Sequence, residues 1–490
     1  MMKLKDLLAG TDLRCLPGQE TICVMGIKYD SRKVEKGDLF VCFSGEGMDE
    51  PVFVKEAEKR GSAAIIAEKM VAGLEVPLMI TDDSRKSLSK IAANYYGNPS
   101  LSMVIFGITG TNGKTTISYM VKSIMEGAGY PCGVIGTIGY DLIEKRYDPA
   151  NTTPEAPELE KMLKEMCEVN IKYCAMEVSS HGLKLSRTDD IKFDYTVFTN
   201  LTREHLDFHH DMEEYYQAKK KLFIQGRDGA IINVDDPGGL RLQKEIKAQR
   251  GSSYKVISYS LKDKKADFYG EIARSTEKGS VMEIFSRGSY MGKLWVPIPG
   301  VFMAYNGLAS LSCCSLAGIS FDKIREGIKN LRPVPGRFEL VENHRGYLII
   351  IDYAHTPDAL EKALGAVADI VKGRLICVFG CGGDRDRDKR PMMGRIAGTY
   401  SDYCIITSDN PRGEKQEEIA AQIEEGIYET HCIYEIIDDR KEAIRRAIDI
   451  YEKGDAILIA GKGHEDYQII GDKKIYFSDR KTVESILSEG

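Results

Sequence analysis

The sequence has no apolar run that approaches the roughly 20 residues needed to cross a bilayer, so membrane insertion is not expected. Residues 1–10 carry Lys3, Lys5 and Asp6 among their leucines and lack the uninterrupted apolar segment of a secretion signal. A basic excess is also missing, because the formal net charge is −7. A surface that follows nucleic-acid phosphates needs surplus positive charge. We therefore predict a cytoplasmic protein that does not bind nucleic acid.

The 12 cysteines do not have the spacing of a metal or disulfide framework. The only close pairs are Cys313 with Cys314 and Cys377 with Cys381, and neither pair has zinc-finger partners at a suitable distance along the chain. We interpret the cysteines as reduced cytosolic thiols, with a disulfide framework or a zinc site as the alternative.

The chain is typical of a globular protein, with 43% hydrophobic and 29% charged residues. A length of 490 residues is too great for one ordinary core, so about two to four domains are expected. No internal repeat or low-complexity tract stands out.

After residue 100 the sequence alternates between short apolar runs and longer amphipathic segments, which predicts mainly parallel sheets covered by helices. In the first series we predict strands at 103–109, 132–136, 173–177 and 196–198, and helices at 115–127, 154–170 and 211–225. Thr153 would cap the helix at 154–170, with Pro154 at its first position. In the second series we predict strands at 348–352, 375–379, 403–407 and 456–460, and a helix at 357–371.

A proline- and glycine-rich segment at 331–337 separates the two series and predicts a hinge. The first hundred residues form a smaller unit that ends near 97–100. The predicted fold is therefore α/β with three domains, at 1–99, 100–332 and 333–490.

The motif TGTNGKTT at 109–116 follows a predicted strand and opens a predicted helix, the context that a phosphate loop requires. Gly110 and Gly113 allow a tight turn in which backbone N–H groups and the helix N-terminus converge on phosphate oxygens. Lys114 would neutralise the β- and γ-phosphates, and the Thr115 hydroxyl would hold Mg²⁺. The strict Walker pattern has a glycine where this chain has Ile108, so the loop is a shortened form. The alternative is a turn that merely contains Gly-Lys-Thr.

The segment GTNGKTT resembles the ATP loop of the Mur ligases, which are three-domain enzymes that add amino acids to the peptide stem of peptidoglycan precursors. Similar segments follow in family order across almost the whole chain: DSR (30–32), NTTP (151–154), EVSSH (177–181), TNLTREHLD (199–207), AK (218–219) before LF (222–223), GR (336–337), DYAH (352–355), GDR (383–385), DNPR (409–412) and GKGHE (461–465). The resemblance implies a UDP-substrate domain, a central P-loop ATPase-like domain and a C-terminal Rossmann-like domain. It also implies a monomer.

The resemblance implies an ATP and Mg²⁺ site with two metal positions. Its ligands would be Thr115, Glu177, His205 and a carbamoylated Lys219. Without the resemblance, Glu177 would be an ordinary strand-end residue and Lys219 a solvated surface lysine. An ammonium group has no lone pair for a metal, so Lys219 requires the carbamate, which forms with CO₂ and supplies oxygen ligands. Lys220 and Lys221 do not match the family position.

The remaining nucleotide contacts are also carried over from the family. The nucleotide-binding residues implied are Gly110, Thr111, Asn112, Gly113, Lys114, Thr115, Thr116, Asn306, Arg337, Asp352 and His355. The catalytic residues implied are Lys114, Lys219, Glu177, His205 and Arg337. The family usually has an asparagine three residues before Asn306, where this chain has Met303.

For the UDP-N-acetylmuramoyl-dipeptide substrate, the resemblance implies contacts from Ser31, Thr152, Thr153, Ser179 and Arg187. The chain departs from the pattern of some members at Leu185, where they have glutamine, and at Glu50-Pro51, where many have Gly-His.

The DNPR segment, Asp409, Asn410, Pro411 and Arg412, resembles that of the members that take meso-diaminopimelate. A guanidinium can grip the far carboxylate of diaminopimelate with two hydrogen bonds, whereas the terminal ammonium of lysine would be repelled by it. Arg385 resembles a second carboxylate contact, Glu465 would accept from the far ammonium, and Gly461 would offer its backbone. Asn-Pro also favours a turn after a strand, and both interpretations can hold.

These residues together predict an ATP-dependent ligase that activates a carboxylate as an acyl phosphate and joins it to an amine. Three alternatives stay open at this point. One is a sister enzyme, either a folylpolyglutamate synthase or the Mur ligase that adds D-Ala-D-Ala. Another is a phosphate-loop binding protein that has lost its chemistry, and the third is a paralogue with an unusual acceptor.

Overall fold

The protein forms three sheet-based units in chain order. The computed structural model describes residues 1–45, 47 and 49–489. The first unit has a parallel sheet of order β3-β4-β5-β6 and a separate antiparallel pair, β1-β2. Its strands are β1 Met2–Lys3, β2 Cys23–Val24, β3 Ile27–Lys28, β4 Leu39–Val41, β5 Ala64–Ala67 and β6 Leu78–Ile80, and its helices are α1 Leu4–Leu7, α2 Glu50–Lys59 and α3 Ser84–Tyr96.

The second unit is built on an eleven-stranded sheet of order β10-β9-β8-β11-β7-β12-β13-β14-β15-β16-β17. Its strands are β7 Val104–Thr109, β8 Cys132–Gly136, β9 Gly139–Asp141, β10 Arg146–Tyr147, β11 Tyr173–Glu177, β12 Tyr195–Phe198, β13 Gly229–Asn233, β14 Lys255–Ser260, β15 Phe268–Thr276, β16 Gly279–Ser286 and β17 Ser289–Val296. Its helices are α4 Lys114–Gly127, α5 Ala156–Glu168, α6 Ser180–Lys184, α7 Met212–Gln225, α8 Pro237–Arg250, α9 Val301–Leu316 and α10 Phe321–Lys329. The strands from β8 to β15 in this order are parallel, and both edges of the sheet are antiparallel.

The third unit has a six-stranded sheet of order β18-β19-β23-β20-β21-β22, in which only β18 is antiparallel. Its strands are β18 Glu339–Leu340, β19 Leu348–Asp352, β20 Leu375–Phe379, β21 Tyr403–Ile406, β22 Ile433–Ile436 and β23 Ala456–Ala460, and a hairpin of β24 Tyr467–Ile470 and β25 Lys473–Tyr476 follows. Its helices are α11 Pro357–Ala368, α12 Lys389–Tyr400, α13 Gln416–Ile427, α14 Arg440–Asp449 and α15 Asp479–Glu489.

Apolar strands explain the sheets, because β7, β11, β20 and β23 are buried along nearly their whole length between helices. One apolar core continues from the central sheet through α9 to α11 of the third unit, so these two units pack directly on each other. Among the described residues, none of the helices combines the length and apolar character that a bilayer crossing requires.

The α/β fold class with parallel sheets is confirmed. Each of the three main sheets lies within one predicted domain, while the boundaries at 99/100 and 332/333 remain predictions. The antiparallel strands β9, β10 and β15 to β17 were not predicted.

The predicted start of the helix at 154–170 is wrong. Helix α5 begins at Ala156 and ends at Glu168, with Glu155 preceding it as the N-cap residue. The hydroxyl of Thr153 does not cap the helix, because it donates to the carbonyl of Glu177 at 2.9 Å. The predicted end is also too late, since Asn170 has a φ of 59°, which a continuing helix excludes.

Candidate active site

The phosphate loop runs from the end of β7 to the start of α4. A Cβ on Gly110, whose φ is 144°, would lie 1.8 Å from the Thr199 hydroxyl. A Cβ on Gly113, whose φ is 90°, would lie 2.5 Å from the amide oxygen of Asn306. The glycines therefore let the loop pass closely between β12 and α9. The N-terminus of α4 then faces a cleft, where it favours anions.

This cleft has a volume of about 520 Å³ and lies between the second and third units. Its lining includes the predicted nucleotide residues Thr111, Asn112, Gly113, Lys114, Thr115, Thr116, Asn306, Arg337, Asp352 and His355. Gly110 is not among the residues that line this cleft. The fold thus brings residues that are more than 200 positions apart in the sequence to one cavity.

Glu177 is the central acidic group of the cleft. It ends β11, is fully buried, and accepts a hydrogen bond from the Thr115 hydroxyl at 2.9 Å. Its carboxylate also accepts from the backbone N–H and the hydroxyl of Thr137, both at 2.9 Å. Thr115 and Glu177 therefore present adjacent oxygen atoms at the N-terminus of α4.

Lys219 is buried in the same region and is not a surface residue. Its side chain is on α7 with only 1% of the residue exposed, and its Nζ donates to the carbonyl of Gly110 at 3.0 Å. Lys114 donates to the same carbonyl at 2.9 Å. Burial, and then the positive charge of Lys114, lower the pKa of Lys219 well below its ordinary value. Burial also lowers the pKa of Lys114.

His205 contacts Glu204, a residue that the sequence did not single out. The Nε2 atom of His205 is 3.6 Å from one oxygen of Glu204, and the Nε2 atom of His355 is 3.4 Å from the other. Burial lowers the pKa of His205 to about 4, which keeps the imidazole neutral near pH 7. Burial alone would raise the pKa of Glu204, but the hydrogen bond with His355 and the two neighbouring imidazoles hold it well below its usual range.

The predicted metal ligands are only partly assembled by direct contacts. Thr115 and Glu177 are hydrogen bonded, whereas His205 packs edge-on against the ring of His181, with centroids 4.8 Å apart. Within the residues that the structure describes, no three His, Cys, Asp or Glu side chains converge in a metal-binding arrangement.

Two hydrogen bonds tie the third unit to the phosphate loop. Arg337 donates from Nη2 to the Thr115 hydroxyl at 3.0 Å. Asn112 donates to the carboxylate of Asp358, on α11, at 2.6 Å. Asp352, at the end of β19, accepts from the backbone of Phe338 at 2.6 Å, which stabilises the turn that presents Arg337. The third unit therefore contacts the phosphate loop through Arg337 and through α11.

Four of the predicted precursor-binding residues lie together beside Glu177. Thr153 contacts Ser179 at 3.2 Å, and Arg187 donates to the Thr153 carbonyl at 2.9 Å. The hydroxyls of Thr152 and Thr137 are 3.1 Å apart.

The fifth predicted contact, Ser31, does not join this group. It lies in the first unit, where its buried hydroxyl donates to Glu56 at 2.5 Å. The structure therefore gives Ser31 a contact within its own unit.

The residues predicted to bind the acceptor amino acid lie together at the carboxyl ends of β21 and β23, where parallel sheets usually bind ligands. We call this set the acceptor cluster: Arg385, Asp409, Asn410, Pro411, Arg412, Gly461 and Glu465. Arg412 has a φ of 52° and donates from Nη1 to the carbonyl of Gly383 at 2.8 Å. Arg385, which is exposed, lies beside it across Gly382. Gly461 leaves room for the side chain of Asp409, because a Cβ on Gly461 would lie 2.8 Å from the Asp409 carboxylate.

Asn410 joins this cluster to Glu465 by a hydrogen bond of 3.0 Å, and Pro411 is buried between Asn410 and Arg412. Glu465 also lies 3.5 Å from the hydroxyl of Tyr353, whose ring lies 4.6 Å from the Arg337 guanidinium. The acceptor cluster and the phosphate loop are therefore connected through Tyr353.

With this geometry established, comparison with known proteins identifies the family. Residues 108–314 match the Mur ligase middle domain, and residues 336–463 match the Mur ligase glutamate ligase domain. The chain belongs to the Mur ligase family.

Two full-length relatives and a solved structure share one enzyme name. The chain is 45% identical, over 99% of both chains, to a UDP-N-acetylmuramoyl-L-alanyl-D-glutamate–2,6-diaminopimelate ligase of Clostridium perfringens. It is 42% identical to the enzyme of that name from Clostridioides difficile, over 100% of both chains. A solved structure of a ligase with this name is 31% identical and superimposes with a TM-score of 0.72, covering 100% of this chain and 99% of that one.

Several residues of this Mur ligase site escaped the sequence analysis. Thr137, Glu204, Asp358 and Tyr353 line the cleft, and Lys462 is buried in the acceptor cluster. Glu204 and Lys462 lie within the segments that resemble the Mur ligases, so their position in the sequence could have identified them as site residues. Thr137 and Asp358 carried no signal, because only the tertiary fold brings them to Glu177 and Asn112.

Proposed function

We propose that this Mur ligase joins meso-2,6-diaminopimelate to UDP-N-acetylmuramoyl-L-alanyl-D-glutamate and converts ATP to ADP and phosphate. The supporting observation is the hydrogen bond of 3.0 Å from Arg337 to Thr115, which places a third-domain guanidinium at the phosphate-binding end of α4. The names of relatives with 42–45% identity over the whole chain favour the same substrates.

In the first step, the free carboxylate of the D-glutamyl residue attacks the γ-phosphorus of ATP. An acyl phosphate forms as the bond to the ADP oxygen breaks. Lys114 and Arg337 neutralise the charge on the transferred phosphoryl group, and the loop backbone fixes its position. The contacts of Arg337 and Asp358 with the loop would help to exclude water, which would otherwise hydrolyse the acyl phosphate.

In the second step, an amine of diaminopimelate attacks the acyl carbon. The tetrahedral intermediate expels inorganic phosphate, and the amine loses a proton to give the amide. Arg412 and Arg385 would bind the far carboxylate of diaminopimelate, and Glu465 would accept from its far ammonium. Lysine lacks that carboxylate and would leave the guanidinium of Arg412 without a partner.

The residues present fit a magnesium site. Thr115 and Glu177 offer oxygen atoms 2.9 Å apart, and His205 has a neutral imidazole near pH 7. Mg²⁺ keeps several waters and binds phosphate oxygens, so it requires few protein ligands. When bound there, it would offset the negative charge of the phosphates.

Lys219 fits the proposed carbamate. Its burial and lowered pKa favour the neutral amine, the form that attacks CO₂. The new N–C bond and the loss of one proton give a carbamate anion, whose oxygens can bind a cation. This modification is needed because the ammonium form has no lone pair to offer.

Phosphate release by purified protein tests the proposal. We expect release that requires ATP, Mg²⁺, the UDP-dipeptide and meso-diaminopimelate together, with L-lysine a poor substitute. Mass spectrometry should show the UDP-tripeptide as product. Equal ATP hydrolysis without the dipeptide or the amino acid would contradict the proposal. The proposal further includes a cytoplasmic location, a monomeric state and the three domain boundaries predicted above.

A further inference from the structure

Lys462 is a fully buried lysine in the loop between β23 and β24, and none of the reaction steps above uses it. Its Nζ donates to the Asn410 amide oxygen at 3.2 Å and to Glu465 Oε2 at 3.0 Å, and it lies 3.7 Å from Asp409 Oδ1. A buried ammonium requires such partners, because an unpaired buried charge is strongly unfavourable. Its contacts are with three of the predicted acceptor residues.

The first consequence concerns the orientation of Asn410. Its amide oxygen receives both Lys462 Nζ and the backbone N–H of Ile469, the latter at 3.0 Å. Two donors on one atom identify that atom as oxygen, so the amide nitrogen must point the other way. That nitrogen donates to Glu465 Oε2 at 3.0 Å.

The second consequence concerns Glu465. Its Oε2 atom receives two hydrogen bonds, from Lys462 and from Asn410. Among the described residues, the hydrogen bond found for its Oε1 atom is a contact of 3.5 Å with the hydroxyl of Tyr353, which is at the limit of a hydrogen bond. The hydroxyl of Tyr467 also interacts with this carboxylate. Oε1 is therefore the oxygen that can accept a further strong donor.

We propose that Lys462 is a positioning residue for the acceptor amino acid. It fixes Glu465 through Oε2, so that Oε1 receives the ammonium at the far end of diaminopimelate. Lys462 also balances the charges of Asp409 and Glu465, which would otherwise repel each other in a buried cluster. This inference rests on the proposed function, because it assumes that Glu465 binds the acceptor.

Within the described part of the chain, the other fully buried cations near the acceptor cluster are paired with carboxylates outside it. Arg390 is a buried cation beside Gly382, and its guanidinium is paired with Glu414. Arg440 is a second buried cation near the acceptor cluster, and Asp479 holds its guanidinium by hydrogen bonds of 2.7 and 2.8 Å. Its remaining hydrogen bonds go to the carbonyls of Ser408 and Ala460. Removal of the Lys462 charge therefore leaves the neutral amide of Asn410 as the hydrogen-bond partner of Glu465 Oε2.

Steady-state kinetics of Lys462→Met, Glu465→Gln and the double variant test the inference. We expect Lys462→Met to raise KM for meso-diaminopimelate by at least about 10-fold, while KM for ATP changes less than about 2-fold. In the Glu465→Gln background, the same change should alter that KM by less than about 3-fold, because both residues act through one contact. The matched control is Lys473→Met, which removes an exposed lysine from β25.

A merely structural lysine would give a different pattern. The two effects on KM for diaminopimelate would then multiply in the double variant, and this result would overturn the proposal. An unchanged KM in Lys462→Met would also overturn it. Wild-type protein that releases no phosphate with diaminopimelate would contradict the proposed function itself. The kinetic test of Lys462 requires an active wild-type enzyme, so failure of the proposed function and failure of the Lys462 proposal are distinguishable.

A structure of the unaltered protein with meso-diaminopimelate tests the same idea without a substitution. We expect the far ammonium on Glu465 Oε1, with Lys462 still bound to Oε2. An ammonium on Oε2, with Lys462 displaced, would overturn the proposal even if Lys462→Met did not fold.

Discussion

Lys114 and Lys219 donate hydrogen bonds to one carbonyl oxygen, that of Gly110, at 2.9 and 3.0 Å. Two ammonium groups on one oxygen repel each other, and burial already disfavours both charges. Lys114 also donates to the Thr111 carbonyl at 2.7 Å, so its charge has a second acceptor and Lys219 is the better candidate for the neutral form. Its neighbours differ, because Lys220 pairs with Glu245 at 2.8 Å and Lys221 is exposed. The carbonyl shared by Lys114 and Lys219 gives a chemical reason for the carbamoylation that we propose at Lys219.

We predict that Lys219→Ala reduces turnover by at least about 100-fold, because the oxygen ligands of the carbamate are lost. Nucleotide binding, measured by calorimetry, should persist, since the phosphate loop is intact. Added acetate should restore part of the activity by supplying a carboxylate to the space that the side chain leaves. Lys221→Ala, on the same helix, is the control. Wild-type turnover by Lys219→Ala would contradict the proposed role, and loss of nucleotide binding would point to a damaged loop.

Arg412 should determine the choice of amino acid. Loss of hydrogen bonds to a charged group costs about 1.5–3 kcal/mol, so Arg412→Ala should raise KM for meso-diaminopimelate by about 10- to 150-fold. The same variant should narrow the preference over L-lysine, because the repelling charge is gone. Competition assays with both amino acids measure the ratio of diaminopimelate to lysine incorporated. Arg395→Ala is a suitable control, since Arg395 pairs with Glu429 at the exposed surface. An unchanged ratio would argue that other residues select the acceptor.

Several strands of the second and third units could be predicted from apolar runs, whereas the parallel strands β13, β14 and β22 were not predicted. The structure confirms the predicted bounds of β8, β11, β19, β20 and β23, each of which is fully or almost fully buried. The phosphate loop was also predictable, because a glycine-rich turn between a buried strand and a helix has few other uses.

The remaining features depend on contacts between distant parts of the chain. The burial of Lys219 cannot be read from α7, whose sequence places four charged residues around it. The helix start at Ala156 follows from a tertiary hydrogen bond of Thr153 to Glu177, which removes Thr153 from the capping position. The antiparallel strands β15 to β17 have mixed polar and apolar residues, because one face of this edge is exposed.

Glu204 should help to hold the third domain against the second. Its carboxylate is 3.4 Å from the His355 ring, and the two residues belong to different domains. Glu204→Gln keeps the shape but removes the charge, so we predict a more open average conformation and a lower kcat. Fluorescence energy transfer between labels on the two domains measures the opening. Glu429→Gln, at an exposed position of the third domain, is the control. An unchanged transfer efficiency, with lower kcat, would assign Glu204 to chemistry rather than closure.

Glu160 should make stability fall as pH rises. It is 1% exposed on α5, and burial, followed by the charge of Asp190, raises its pKa from 4.5 to about 8. The folded protein therefore keeps the proton between these values, while the unfolded chain loses it. The free energy of unfolding therefore falls by up to about 1.4 kcal/mol per pH unit between these two pKa values. The slope is proportional to the difference in bound protons between the folded and unfolded states.

Glu160→Gln cannot ionise, so we predict that it is more stable than wild type and that the advantage grows from pH 5.5 to pH 8. Thermal unfolding midpoints at both pH values measure the difference. Glu168→Gln, at the exposed end of the same helix, should show no such trend. A difference that stays constant with pH would mean that Glu160 is ionised in the folded protein. In that case Lys90, which lies 3.4 Å from Asp190, would be the cation that stabilises it.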